Sequence, residues 1–423
     1  MNDYLKQLPG PLLKIIREIG QVSDDLNLVA FLVGGIVRDC ILERSNFDVD
    51  IVVEGKARVL AKALAGRWNC RIVLHKQFQT ATLFYKNFLI DISSARNETY
   101  DKPGALPIVQ PGTVAEDLFR RDFTINALAV CLNKRHNGQL LDPLGGFSDL
   151  IKGKIRIMHD HSFLDDPTRI LRAVRFQKRY KFSLSDRTRQ CLKLAIRSNC
   201  ERTVTSQRLF VEFKKIMKEA DPLPALKMLN RTRFLRFIKP QATFNYHLVR
   251  SVQHFYDSNP RLSVLFEDED FRWLSYFLAF ISFFDADARN ALVRRFHFTK
   301  HEKKSIIDAL YKERSGKILS SRNIKKSRIF KELKKFNVPT LIFFRCAMPS
   351  QDRKEGIQWY LDKGRYFQLS LTGEDLKEMG VSPGHRMGEI LSNVLDHKID
   401  YNLKSRKAEL LVAKKFIGSI ESP

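Results

Sequence analysis

The residues with the clearest chemical potential are two aspartates, Asp48 and Asp50, which are separated by a single valine. The run 47–53 alternates acidic and apolar residues and then becomes wholly apolar, which predicts a strand with both carboxylates on one face. Two carboxylates on one face supply the hard oxygen ligands that Mg²⁺ prefers. The pair therefore predicts metal-assisted chemistry on a nucleoside triphosphate.

A diglycine turn lies upstream of these acids. Gly34 and Gly35 follow the apolar run 31–33 and precede a segment that can begin a helix, so the backbone can bend closely around an anion. Arg38, in that segment, is expected to hold phosphates. Taken alone, Gly-Gly is typical of a loop and Asp-x-Asp of a solvated strand edge or turn. Their combination at this spacing favours a triphosphate site.

With these motifs in this order, the chain resembles the class II tRNA nucleotidyltransferase and bacterial poly(A) polymerase family, within the superfamily that includes DNA polymerase beta. The resemblance implies an α+β N-terminal nucleotidyltransferase (polymerase beta-like) head with a mixed sheet, followed by all-α neck, body and tail domains. We expect the catalytic head at 1–150, a neck with a base-reading motif at 151–220, a helical body at 221–340 and a tRNA-binding tail at 341–423.

The same resemblance implies two Mg²⁺ ions, held by Asp48 and Asp50. Superfamily members often add a third carboxylate from a neighbouring strand, and Asp91 in the run 89–93 has a suitable context. A strand-end acid that caps local amides is an equally good interpretation of Asp91. Its role as a third ligand therefore stays open.

A second motif is Arg120-Arg121-Asp122, followed by an apolar stretch that contains Asn126. Composition alone favours a capped helix start. In the resembling family this motif reads the ribose hydroxyls and so selects ribonucleotides. Arg120, Arg121, Asp122 and Asn126 are therefore expected to contact the nucleotide.

A third motif extends from Asp165 to Phe176. The bland interpretation is a helix with an acidic start and a basic stripe. In the resembling family the motif reads the incoming base, and an arginine with a carboxylate can match either cytosine or adenine. The nucleotide-contacting residues that we expect here are Asp165, Asp166, Arg169, Arg172 and Arg175, with Asp166 and Arg169 at the matched positions. At Asp165 the family commonly has Glu, which puts an orienting role for that position in doubt.

The elements around these motifs follow from hydrophobic periodicity. Segment 11–29 and Ala57 to Trp68 are predicted helices, and three strands are predicted at 71–74, 81–85 and 88–92. Residues 97–113 contain three prolines and two glycines, which predicts a long loop. Further helices are predicted at 164–180, 185–198, 206–219 and 224–229.

That loop resembles the family's flexible loop, which is shortened in enzymes that add only the two cytidines. Here it is full length, which favours the ability to add the terminal adenosine. Arg96, Glu98, Tyr100 and Asp101 are candidate loop contacts.

Composition limits the classes of function. The formal net charge is +26 over 423 residues, which predicts a polyanionic partner such as nucleic acid. The N-terminus does not resemble a signal peptide, and the longest apolar run, 273–284, is too short to span a bilayer and reads as a buried helix. The six cysteines show no metal-binding spacing, which is typical of reduced thiols in a cytoplasmic protein.

The segment 303–335 is strongly basic. It contains twelve Lys or Arg residues and three Asp or Glu residues, which suggests an RNA-contacting surface, although such a run is often only a solvated helix face.

Together these features predict a template-independent enzyme that adds CCA to the 3′ end of tRNA from CTP and ATP, with Mg²⁺ as cofactor and no membrane association. Within the class, the alternatives are an enzyme that adds only the adenosine and a poly(A) polymerase. From another class, the alternative is an RNA-binding protein without catalysis.

Overall fold

The computed structural model describes residues 5, 7–45, 48–75, 80–99, 108–136, 138–260, 269–319 and 324–418. The chain forms two compact units, of which the first comprises Met1–Ile216 with Pro224–Phe237 and the second Met217–Leu223 with Ile238–Pro423. The boundaries predicted at 150, 220 and 340 remain predictions, since this division of the chain does not test them.

The first unit is built around a seven-stranded mixed sheet with the order β3-β4-β5-β2-β1-β8-β9. Strands β2 and β5 pair in parallel, whereas the other neighbours in this sheet are antiparallel. Its strands are β1 (Val29–Val33), β2 (Val49–Glu54), β3 (Arg71–His75), β4 (Thr80–Tyr85), β5 (Phe88–Ser94), β8 (Ala129–Cys131) and β9 (Leu140–Leu141).

Helices cover this sheet and extend beyond it. Helix α3 occupies the predicted segment 57–68, and its buried residues recur at helical spacing. The helices of this unit are α1 (Gly10–Asp25), α2 (Gly35–Ile41), α3 (Ala57–Trp68), α4 (Val114–Phe119), α5 (Gly146–Ile151), α6 (Ser162–Asp165), α7 (Thr168–Tyr180), α8 (Asp186–Arg197), α9 (Ser206–Met217) and α10 (Leu223–Arg231).

The helix predicted over 164–180 is interrupted. Asp166 has φ −138° and ψ 94°, so α6 ends there and α7 begins after Pro167. A residue that precedes proline is disfavoured in the helical region, and proline has no amide hydrogen to donate. The break places Asp166 at the start of α7 rather than inside a continuous helix.

The long loop predicted over 97–113 contains regular structure. Strand β6 (Arg96–Thr99) pairs antiparallel with β7 (Ile108–Pro111), so the segment is a two-stranded hairpin at its base. Proline and glycine content suggested a loop, but Pro111 terminates an edge strand, where the missing amide hydrogen costs no ladder bond. Tyr100 and Asp101 lie outside the described residues.

The second unit is helical in its described part. The apolar run predicted to be a buried helix lies in and after α12, where Trp273 and Phe277 are fully buried. Its helices are α11 (Tyr246–Ser258), α12 (Glu269–Phe280), α13 (Ala286–Arg295), α14 (Lys300–Asp308), α15 (Lys312–Leu319), α16 (Lys326–Leu333), α17 (Val338–Ala347), α18 (Gln351–Asp362), α19 (Gly373–Glu378), α20 (His385–Tyr401) and α21 (Arg406–Gly418). In the described part of the chain, no helix is both long and apolar enough to cross a bilayer.

A buried arginine joins three segments of the second unit. Arg289 is 2% exposed and donates to the carbonyl oxygens of Phe284 (3.0 Å), Ile306 (3.0 Å) and Ile281 (3.4 Å). Burial lowers the pKa of its guanidinium to about 10. The buried guanidinium thus has hydrogen-bond acceptors. In turn, the two carbonyl groups that follow α12 and the one near the end of α14 have a donor.

We expect Arg289→Met to destabilise the protein by about 2–4 kcal/mol, because three buried carbonyls lose their donor while the volume is largely kept. Urea unfolding curves measure the change. Arg294→Met, at an exposed position on the same helix, is the control and should shift stability by less than about 0.5 kcal/mol. Equal midpoints for the two variants would contradict the role assigned to Arg289.

Candidate active site

One cleft in the first unit, with a volume of about 610 Å³, brings together nearly all of the predicted site residues. Of the predicted residues that the structure describes, Asp91, Asp165 and the loop residue Arg96 do not line it, whereas Glu98 of the same loop does. The other predicted residues that do are Gly34, Gly35, Arg38, Asp48, Asp50, Arg120, Arg121, Asp122, Asn126, Asp166, Arg169, Arg172 and Arg175. The wall is dominated by charged groups, as expected for a site that binds a polyanion.

The turn between β1 and α2 requires glycine. Gly34 has φ +75°, and a Cβ added there would lie 2.8 Å from Nη1 of Arg121 and 3.8 Å from Oδ2 of Asp50. The Gly34 amide donates to the carbonyl of Leu128 (3.2 Å), which fixes the turn against the segment before β8. The absence of a side chain therefore keeps an arginine and a carboxylate close together on the cleft wall.

The acidic residues lie on neighbouring strands. Asp48 is exposed just before β2, Asp50 lies within β2, and Asp91 on β5 is the direct register partner of Asp50. Burial raises the pKa of Asp50 to about 6; Arg121 opposes this shift, whereas the neighbouring carboxylates of Asp91 and Asp48 add to it. The raised pKa means that the ionised carboxylate is poorly compensated by the protein alone.

This donor set fits a divalent cation. Oxygen-only ligands suit Mg²⁺, and a cation between Asp48 and Asp50 would relieve the mutual repulsion of the carboxylates. Asp91 is partly engaged elsewhere, since its Oδ1 accepts a 2.6 Å hydrogen bond from the Thr82 hydroxyl. In the described residues no group of three or more acidic, histidine or cysteine side chains is arranged to hold a metal ion. A third-ligand role for Asp91 therefore remains a prediction.

Arg38 is braced by the protein. It is 5% exposed and donates from Nε and Nη2 to both carboxylate oxygens of Asp39 (2.9 and 2.8 Å) and from Nη1 to Oδ1 of Asn126 (2.5 Å). Its guanidinium also lies over the rings of Tyr180 (4.8 Å) and Phe176 (5.3 Å). These contacts fix the helix after the glycine turn against α7.

The two adjacent arginines have different surroundings. Arg120 donates to Asp117 (2.7 Å) and to Glu98 on β6 (3.1 Å), so it ties α4 to the hairpin. Arg121 donates from Nη2 to the other oxygen of Asp117 (3.0 Å), but its Nε is buried without a hydrogen-bond partner among the described residues. A buried, unmatched guanidinium donor on a cleft wall is a natural contact for a bound anion.

Asp122 is already fully engaged by the protein. Its Oδ1 accepts from the Phe123 amide (2.9 Å) and from Asn126 (2.8 Å), and its Oδ2 accepts from Nε of Arg172 (2.6 Å). Burial alone would raise the pKa of Asp122, but Arg172 and Asn126 together hold it below its ordinary value. Reciprocally, Asp122 raises the pKa of Arg172.

The start of α7 carries the predicted base-reading pair. Oδ1 of Asp166 accepts from the amide (3.1 Å) and hydroxyl (2.7 Å) of Thr168 and pairs with Arg208 (3.2 Å). Arg169 is 6% exposed and donates to the Ser162 hydroxyl (2.7 Å) and to the Arg120 carbonyl (3.0 Å). A carboxylate oxygen of Asp165 instead lies 3.7 Å from Nε2 of His159, away from the cleft lining.

Two residues in or beside the site, Glu212 and Asp117, were not predicted from the sequence. Glu212 on α9 lines the cleft and pairs with Arg172 (3.5 Å), Arg175 (3.7 Å) and Lys215 (2.7 Å). No short-range signal identifies it, because its arginine partners lie 37 and 40 positions away. Asp117 was accessible to sequence reasoning, since it precedes Arg120 and Arg121 at helical spacing.

Two family models match the chain. Residues 30–156 match the poly A polymerase head domain, and residues 182–245 match the probable RNA and SrmB-binding site of polymerase A. Together they cover most of the sheet that carries the acids and the helices that follow the predicted base-reading motif.

Individual proteins match over nearly the whole chain. An A-adding tRNA nucleotidyltransferase from Geobacter sulfurreducens is 31% identical over 98% of this chain, which spans 48% of that enzyme. The A-adding enzyme from Halalkalibacterium halodurans is 30% identical over 96% of this chain and 93% of its own length. The solved apo form II of a CCA-adding enzyme is 30% identical, covers 98% of both chains and has a TM-score of 0.73.

The chain thus spans about half the length of the Geobacter relative but nearly all of the Halalkalibacterium one. Both the resemblance inferred from the motifs and the predicted fold class, a polymerase-type head with a mixed sheet followed by a mainly helical body, are confirmed. The chain belongs to the family of tRNA nucleotidyltransferases and bacterial poly(A) polymerases.

Proposed function

We propose that the protein transfers nucleotides from a nucleoside triphosphate to the 3′ end of tRNA, and that adenosine is a nucleotide it adds. The observation that carries this proposal is a single cleft. Asp48 and Asp50 line it together with Arg121 and the Asp166–Arg169 pair. The 3′-hydroxyl oxygen of the RNA forms a bond to the α-phosphorus while the bond to the pyrophosphate leaving group breaks.

In this proposal Asp48 and Asp50 hold Mg²⁺. When bound, the ions would lower the pKa of the attacking hydroxyl and neutralise charge on the phosphates. The glycine turn leaves room beside Arg121 for the triphosphate, and Arg121 donates to it. Arg38 contributes by fixing α2, because three of its donors are bonded to Asp39 and Asn126.

The ribose-reading motif divides into two roles. Arg121 is the residue that contacts the nucleotide, since its buried Nε has no hydrogen-bond acceptor among the described residues. Asp122 is a positioning residue, because its oxygens already accept from Phe123, Asn126 and Arg172. Arg120 positions the hairpin base through Glu98.

The base would be read by Asp166 and Arg169. The bonds to Thr168 and the ion pair with Arg208 use Oδ1 of Asp166, which leaves Oδ2 to accept from an exocyclic amine. Arg169 keeps guanidinium donors beyond the two used for Ser162 and Arg120. Cytosine and adenine both pair an exocyclic amine with a neighbouring acceptor, so one side-chain pair suits both.

Similarity over nearly the full chain to two A-adding relatives supports adenosine addition. Addition of the complete CCA, as predicted from the sequence, is the second candidate, and the fold similarity to a CCA-adding enzyme supports it. Both candidates require adenosine transfer, so the decisive question is whether CTP is also a substrate.

Three tRNA substrates separate the candidates: one ending before the CCA, one after the first cytidine and one after the second. With purified protein, Mg²⁺ and labelled nucleotides, we expect AMP incorporation into the tRNA that ends in two cytidines. CMP incorporation into the shorter substrates would establish complete CCA addition. Failure to incorporate AMP into the longest substrate would contradict the proposed function.

Replacement of the acidic pair tests the catalytic assignment. We expect Asp48→Ala and Asp50→Ala each to lower nucleotide incorporation by at least about 100-fold, because charge developing at the reacting phosphate loses its stabilisation. tRNA affinity, measured by filter binding, should change little. Asp25→Ala, at an exposed position at the end of α1, is the matched control, and activity retained in both cleft variants would refute the assignment.

The Asp122–Arg172 ion pair predicts a pH-dependent stability. The pKa of Asp122 is depressed in the folded state, so its contribution is present above the unfolded pKa of about 3.9 and is lost as the pH falls through the lower folded value. Asp122→Asn should cost about 2 kcal/mol at pH 7, since Arg172 loses its shorter ion pair and keeps only the 3.5 Å contact with Glu212.

The measurement is the free energy of unfolding from pH 7 to pH 2 for both proteins. The gap between wild type and Asp122→Asn should be constant at neutral pH and should narrow only below about pH 4. A gap that does not change with pH would mean that packing, rather than charge, is responsible.

A further inference from the structure

We propose that the second unit contains a separate phosphate-binding pocket, formed by α11, α17 and α18. The cavity has a volume of about 480 Å³ and is lined by His247, Arg250, His254, Arg345 and Lys354, among others. Nucleotidyl transfer in the first unit requires no second anion site, so this pocket goes beyond the proposed function.

The cationic groups converge from three helices. His247, Arg250 and His254 are spaced three and four positions apart on α11, which places them on one helix face. Arg345 lies in the last turn of α17 and Lys354 in the first turn of α18. No carboxylate is among the described residues that line the cavity, so its three permanent positive charges are not offset at the wall.

Arg345 is the residue best placed to recognise an anion. Its guanidinium carbon lies 5.9 Å from the ring centroid of Phe255, so the aromatic face orients the planar group. Its Nε is buried without a hydrogen-bond partner among the described residues. A phosphate oxygen would satisfy this donor, and the planar fork of arginine matches two phosphate oxygens at once.

The remaining wall adds no negative charge. The thiol of Cys346 donates to the carbonyl of Ser251 (3.7 Å), and burial raises its pKa to about 12, so it stays neutral. The imidazoles of His247 and His254 offer N–H donors whether or not they are protonated. The pocket therefore suits a compact anion with several oxygens, either a free diphosphate or a phosphate group of a bound RNA strand.

Hydrogen exchange of the full-length Asp48→Ala protein with inorganic pyrophosphate tests the pocket, with the helix 246–258 as the reporter. We expect pyrophosphate to slow exchange in this helix, and Arg345→Gln to weaken the protection at least about tenfold in pyrophosphate concentration, since a charge-assisted contact is lost. Arg345→Lys should recover the protection only in part, because lysine restores the positive charge but not the planar guanidinium group. Arg294→Gln, exposed on α13, is the control and should leave protection unchanged.

A second arm replaces pyrophosphate with a short RNA duplex and measures its affinity. Protection by pyrophosphate identifies a free oligophosphate as a ligand, whereas reduced RNA affinity in both Arg345→Gln and Lys354→Gln without that protection identifies RNA phosphates. Circular dichroism establishes that each variant is folded, and Lys354→Gln provides the test if Arg345→Gln is not. No protection by pyrophosphate together with unchanged RNA affinity overturns the proposal. Since binding is read in a protein without Asp48, the outcome is independent of the proposed catalysis.

Discussion

The site of the first unit depends on the partly buried ion pair between Asp122 and Arg172. Asp122 lies in the segment before β8, and Arg172 lies on α7, so the pair joins the sheet-bearing part of the chain to the helix that carries the base-reading residues. Asp122 is buried and Arg172 is partly buried, and each shifts the pKa of the other towards its charged form. Loss of the Arg172 charge would leave the buried Asp122 carboxylate without its ionic partner, so the contact between the two parts of the cleft depends on this pair.

Further polar contacts extend outward from that pair. Asn126 accepts from Arg38 and donates to Asp122, which connects the helix after the glycine turn to the ion pair. On the other side, Arg172 also pairs with Glu212 on α9. Arg38, Asn126, Asp122, Arg172 and Glu212, all of which line the cleft, are thereby joined in one continuous chain of polar contacts. Such preorganisation lets a site hold its substrate without reordering its own side chains.

The sequence predicted the parts of the site that depend on local pattern. The strand with Asp50 follows from alternation, although it begins at Val49 and leaves Asp48 just before it. The turn at Gly34 follows from a conformation that only glycine adopts easily. The interruption between α6 and α7 was readable in principle, because Pro167 disfavours helix at Asp166. The hairpin of β6 and β7 was not readable, because proline and glycine content masks short edge strands.

Which partner each side chain contacts was harder to predict than whether the side chain lies in the cleft. Asp122 and Arg38 were expected to touch the nucleotide, and both line the cleft, but their hydrogen bonds are made mainly to other protein groups. Whether a charged side chain faces its ligand or its neighbour depends on partners far away in sequence. Tyr180, for example, donates to Asp39 from 141 positions away and so helps to fix Arg38. Pattern reasoning identifies the residues of a site, whereas only tertiary structure separates those that contact the substrate from those that hold them in place.

The fixed position of the proposed base-reading pair also constrains how two different bases could be accepted. Arg169 is held by Ser162 and by the Arg120 carbonyl, and Asp166 is held by Thr168 at the start of α7. Neither side chain can turn far without breaking a buried or partly buried hydrogen bond, so the pair offers nearly the same donors and acceptors to every nucleotide. Selection between CTP and ATP would then require a change in the space beside the pair rather than in the pair itself. Arg120 bonds to Glu98 at the base of the β6–β7 hairpin while its carbonyl accepts from Arg169, so a single residue connects the hairpin to the proposed base-reading pair.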